Sequence, residues 1–183
     1  MKMKYYKLVK LKNGKACILR NQNCEDSNEI LQHIILTSAE TEYMLSYFDE
    51  ITMTEEEERI HLSNIEASPD ELLISAVVDG KIVANAGLSP VSKLDKCKHR
   101  AEFGISIEKK YWGWGIGSFI MSAVLEIARQ AGYEQIELEV VTDKQRAISL
   151  YEKYGFKIFG KNEMAFRCRD GQYQSLYLMS CRL

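Results

Sequence analysis

Two rhythms of apolar residues divide the chain. In YYKLVKLKNGKACILRN, residues 5–21, short apolar runs flank Asn13-Gly14. That dipeptide suits a tight turn with positive φ, so the stretch is predicted to be a β-hairpin. DSNEILQHIIL then puts Ile30, Leu31, Ile34 and Ile35 on one helical face. A second helix is predicted to open at Thr54, because TEEE reads as a capping box with Thr54 as N-cap and Glu57 at N3. The box and the positive end of the helix account for the acidic run Glu55–Glu58 without a ligand.

From residue 72 the period shortens to two. LLISAVVDGKIVANAGL is predicted to be a second hairpin around Asp79-Gly80. A loop with Lys93, Lys96, Lys98 and Arg100 leads into AEFGISI, whose Ala101, Phe103, Ile105 and Ile107 face one way and Glu102, Gly104 and Ser106 the other. SFIMSAVLEIARQAG is apolar on nearly every side, which predicts a buried helix ended by Gly132. QIELEVV reads as a strand. KQRAISLYEKYG reads as a helix with Asp143 as its N-cap and Gly155 at its C-terminal end. The last stretch reads as two strands joined through Asp170-Gly171. Strands and helices mixed in this order predict one α/β (α+β) domain over residues 1–183, with a central mixed, mostly antiparallel sheet flanked by helices.

Composition narrows the classes. The 183 residues are 46% hydrophobic and 27% charged, enough for one well-cored globular domain. No apolar run nears the ~20 residues that span a bilayer. The opening MKMKYYKLVKLKNGK is basic without an apolar core, so neither a signal nor a transit peptide is expected. Cys17, Cys24, Cys97, Cys168 and Cys181 lack CxxC spacing, which points to free thiols in a reducing cytoplasm and to no metal site. A net charge of −2 gives no general attraction to nucleic acid or membrane.

The chemistry concentrates at YWGWGIGS, residues 111–118, between a strand and the buried helix. A helix N-terminus offers unpaired N–H groups and partial positive charge, and glycines let an anion approach the backbone. The expected ligand carries a phosphate or pyrophosphate. A Walker loop is excluded because no lysine follows these glycines in the required place, and a dinucleotide fingerprint fails at Ser118. Lys109, Lys110, Lys144, Arg146 and Lys153 supply a basic rim nearby.

Residues 72–156 resemble the GNAT superfamily of N-acetyltransferases. Trp112-Gly113-Trp114-Gly115-Ile116-Gly117 is similar to the family's (Arg/Gln)-x-x-Gly-x-(Gly/Ala), and residues 144–156, KQRAISLYEKYGF, to its Asn-x-x-Ala-Ile-x-Leu-Tyr-Glu-x-x-Gly-Phe. Trp112 and Lys144 depart from the pattern. The resemblance implies acetyl-CoA as cosubstrate and no metal. It places the acceptor mainly against residues 1–71, the coenzyme on a core of about 72–156, and the C-terminal strands at 157–183. Its pyrophosphate would lie on the backbone of residues 113–118, near Lys144 and Ala147, with the side chains of Trp112 and Trp114 packed on neighbouring structure or flanking the adenine. Its pantetheine arm would pair with the main chain of Ile105, Ser106 and Ile107.

The same resemblance implies direct attack by an amine of a small molecule or peptide, with Tyr151 protonating the departing thiolate. Glu102, before the glycine loop, is the expected general base. In ETEYMLSYFDE, residues 40–50, carboxylates and aromatic rings suit an ammonium acceptor, or else form a solvated connector. A non-catalytic acyl-CoA-binding or sensing module of the same fold, and an unrelated nucleotide-binding domain, are the competing readings. A homodimer through the C-terminal strands is left open.

Overall fold

The computed structural model describes residues 4–183, so Met1, Lys2 and Met3 of the basic N-terminal stretch lie outside the described residues. Eight strands and four α-helices follow in chain order. They are β1 (Tyr6–Lys10), β2 (Ala16–Asn21), α1 (Ser27–Glu40), α2 (Glu55–Ala67), β3 (Leu72–Val78), β4 (Lys81–Pro90), β5 (Arg100–Ile107), α3 (Ile116–Gln130), β6 (Gln135–Val141), α4 (Gln145–Lys153), β7 (Lys157–Arg167) and β8 (Tyr173–Arg182). The strands form one mixed sheet in the order β1-β2-β3-β4-β5-β6-β8-β7, antiparallel except between β5 and β6. A parallel neighbour needs a crossover, and α3 supplies it.

Alternation along the strands sorts side chains to two faces. Leu72, Ile74 and Ala76 of β3, with Ala101 and Phe103 of β5, join Ile116, Ile120, Met121 and Val124 of α3 in the main core. Each such large side chain contributes ~1.5–3 kcal/mol by leaving water. On the opposite face Ile30 of α1, Leu62 of α2 and Ile82 of β4 form a smaller cluster.

The caps explain where the helices begin. Thr54 accepts a bond from the Glu57 N–H while the Glu57 carboxylate accepts one from the Thr54 N–H, as the TEEE pattern predicts. At α4 the expectation of an Asp143 cap is not met. Lys144 occupies the N-cap position without a side-chain bond, and the Asp143 main-chain carbonyl accepts from the Gln145 N–H. Asp143 lies one residue too early, so no carboxylate closes this helix end. Among the described residues, no helix is long and apolar enough to cross a membrane.

Candidate active site

The site begins with a fault in the sheet. β5 pairs with β4 along residues 101–107, yet it pairs with β6 only at Arg100–Glu102, opposite Gln135–Glu137. A two-pronged Arg100–Glu137 ion pair holds the closed end. Beyond it the strands part, leaving residues 103–107 without a strand partner on that side. Two cavities of about 570 and about 800 Å³ meet in the gap, and Ser106, Ile105, Lys144 and Tyr151 line both.

The smaller cavity runs to the glycine stretch. Gly113 and Gly115 hold φ values of +86° and +94°, conformations that side chains resist, and Gly115 is the N-cap of α3. Their N–H groups have no partner among the described residues, and those of Ile116 and Gly117 belong to the open first turn of the helix. Here α3 presents a cradle for an anion. A Cβ on Gly117 would come within 2.9 Å of Leu150 Cδ2 and 3.5 Å of Ile107 Cδ1, so this glycine also lets α3 approach α4 and β5.

Most of the expected coenzyme residues come together here. Ile105, Ser106 and Ile107 line the smaller cavity from β5. Trp112, Gly113, Gly115, Ile116, Gly117 and Ser118 line it from the loop and helix start. Lys144, Ala147 and Tyr151 line it from α4 and its cap. Trp114 is absent from the lining. Its ring packs edge-on against Tyr111 at 4.9 Å, and its carbonyl accepts from the Lys12 N–H, tying the first hairpin to the loop. Trp112 donates from Nε1 to the Ile107 carbonyl at 2.8 Å, with the Arg146 guanidinium 5.9 Å from its ring centre. The two indoles therefore brace a bare backbone.

Tyr151 is 6% exposed, wedged against Phe103 and Phe156, and its hydroxyl makes no hydrogen bond among the described residues. Burial pushes this phenol well above the usual value, so it keeps its proton. Lys144 lies 5.1 Å from the centre of the Tyr43 ring, and burial lowers its ammonium below the ordinary lysine range. Glu102 is exposed and outside both linings, although it shares a strand face with Gly104 and Ser106, which line the larger cavity. On the neighbouring strand Glu139 does line that cavity. No cysteine lines either cavity. No cluster of metal-ligating side chains occurs among the described residues.

Behind Ser106 lies a group that sequence patterning overlooks. His33 of α1, 2% exposed, places Nε2 at 2.9 Å from Ser106 Oγ. Its Nδ1 is 3.7 Å from the buried Glu108 carboxylate, which is bonded to Lys81 Nζ. Desolvation, aided by the Lys81 charge, lowers the imidazole to about 4. At neutral pH His33 is therefore uncharged, and its contact with Glu108 is no ion pair. The only sequence signal was a histidine at helical spacing from Ile30 and Thr37, and the structure places all three inside.

Residues 40–50 divide between the two expected roles. Tyr43, Met44 and Glu50 line the larger cavity, whereas Asp49 faces outward and takes a bidentate bond from Arg169, in the β7–β8 turn. The Arg169 guanidinium also lies 4.0 Å from the Tyr47 ring centre.

The sequence pattern of the acetyltransferase (GNAT) family matches residues 36–156. The chain belongs to the GNAT family. A GNAT-family acetyltransferase from Streptococcus pneumoniae superposes with a TM-score of 0.87 at 28% identity, over 91% of this chain and 99% of that one. Salmonella typhimurium yncA, solved with its cofactor acetyl-CoA, shares the GNAT fold at a TM-score of 0.80 and 14% identity, over 91% of this chain and 94% of that one. The L-amino acid N-acetyltransferase AaaT of Escherichia coli is 31% identical over 106 residues, 57% of this chain and 64% of that protein. The N-alpha-acetyltransferase RimI of Mycobacterium tuberculosis is 30% identical over 101 residues, 55% of this chain and 61% of that protein. The alignments thus span less than two thirds of either relative.

Proposed function

We propose that this GNAT protein is an acetyl-CoA-dependent N-acetyltransferase that transfers acetyl to a primary amine of a small molecule or peptide by direct attack. The observation that carries the reading is the parting of β5 from β6, which opens the phosphate cradle and the larger cavity onto one another. The coenzyme fits on three counts. Four free N–H groups await its pyrophosphate, the unpaired edge of β5 can accept the pantetheine amides as an added strand, and Arg146 and Lys153 line the phosphate end.

In this reading the amine nitrogen attacks the acetyl carbonyl carbon from the larger cavity. An unpaired β5 N–H polarises the carbonyl oxygen as the tetrahedral centre forms. The C–S bond then breaks, and Tyr151 gives its proton to the departing sulfur. A phenol kept protonated by burial suits a donor and cannot serve as base at neutral pH. The amine proton passes to a carboxylate. Glu102 remains near the strand's closed end, but Glu139 touches the cavity, and we assign the acceptance to Glu139, with Glu102 as the alternative. A non-catalytic acyl-CoA module would share the cradle and lack this transfer.

The test is calorimetric titration with acetyl-CoA, using ATP and NAD as controls, followed by thiol release with a panel of primary amines. Selective acetyl-CoA binding with amine-dependent release supports the proposal. Binding without release from any amine favours the sensing module, and absence of binding by folded protein removes both.

A further inference from the structure

The capping box and surface partners explain three of the four acidic residues that open α2, but not the fourth. Glu55 bonds to Asn28 and Arg59, Glu56 approaches Arg59, and Glu57 closes the box on Thr54. Glu58 turns the other way. It is 3% exposed and lines the larger cavity beside the apolar Leu31 and Ile34 of α1. Its carboxylate has neither a hydrogen bond nor an ion pair among the described residues. Burial raises its carboxyl above the usual range, and the nearby His61 opposes that shift. A carboxylate that opens only onto the cavity, beside apolar side chains, is poorly solvated and gains from a cationic partner.

The rest of the lining has the same sign. Glu50 and Glu139 are its other acids, against His61 and Lys144. Lys144 rests over the Tyr43 ring and forms no ion pair with these acids among the described residues. Resting on the acetyl-transfer reading above, we propose that the acceptor is a diamine or polyamine, whose second ammonium pairs with Glu58 while the first is acetylated beside Tyr151. A monoamine would leave Glu58 unpaired. An amino acid would bring a carboxylate into a cavity already holding three.

The experiment compares 1,4-diaminobutane and spermidine with butylamine and L-alanine, in wild type and in the isosteric Glu58→Gln variant. Thiol release gives kcat/KM, and calorimetry on the coenzyme A-loaded proteins gives amine affinity. Thermal melts confirm that the variant is folded. The diamines should be preferred in wild type, and Glu58→Gln should lower their kcat/KM roughly 30-fold more than that of butylamine, the low end for truncating a buried charge pair. Equal use of butylamine or L-alanine in wild type, or a diamine preference that survives Glu58→Gln, overturns the inference. If no amine releases thiol, the transferase reading fails and calorimetry decides this one separately. Diamine binding lost in the variant supports it, and no diamine binding to wild type ends it.

Discussion

At the scale of single residues, burial decides which groups can move a proton. Tyr151→Phe removes the proposed donor and leaves the ring packing with Phe103 and Phe156 intact. We expect kcat to fall ~100-fold with acetyl-CoA affinity nearly unchanged, and steady-state kinetics beside calorimetry check both. His33 makes a prediction about stability. Its folded value, about 4, lies below the unfolded value of ~6.5, so between these pH values the unfolded chain binds more protons. Its contribution is complete above ~6.5 and is lost as pH falls toward 4, by at most ~1.4 kcal/mol per pH unit. Urea unfolding across this range should show that slope in wild type and a shallower one in His33→Phe, and identical slopes would refute the assignment. These residues also mark what the sequence could reveal. Tyr151 and the glycines were legible because their motifs depend on local backbone geometry. Glu58 was hidden because helix capping accounted for its neighbours so well. Its spacing from Leu62 and Ile65, four and seven residues on, was the available sign that it faces inward.

At the scale of elements, periodicity and the turns at Asn13-Gly14, Asp79-Gly80 and Asp170-Gly171 gave the eight strands and four α-helices, even β7, which buries no side chain. Periodicity could not reveal how strands part, which depends on partners distant in the chain. Nor could it reveal the tie between the β7–β8 turn and the segment after α1. Arg169 holds Asp49 there, three residues before Thr52 and one before Glu50, both in the lining of the larger cavity. Arg169→Ala should raise the acceptor KM several-fold while leaving acetyl-CoA affinity alone, because the tie touches only one cavity. Equal losses in both constants would show a general structural defect. Thr54→Ala tests an element's start in a different way, and chemical denaturation should report a loss of about 1 kcal/mol.

For the whole molecule, two cavities meeting in one gap suit the proposed direct attack, in which both substrates are present together. Initial-rate plots at several fixed amine concentrations should intersect. Parallel lines would reveal an acetylated enzyme and overturn direct attack. The parting of β5 and β6 has a mechanical consequence as well. Across that line the sheet's two leaves are joined by three residue pairs and one ion pair, so its own bonding is thinnest there and the shared core beneath carries the rest. A coenzyme lying along the gap would stitch the leaves together as a removable ninth strand. Cellular coenzyme would then set the protein's lifetime as well as its turnover, adding ~2.7 kcal/mol at a hundredfold excess over Kd and slowing amide exchange along residues 103–107.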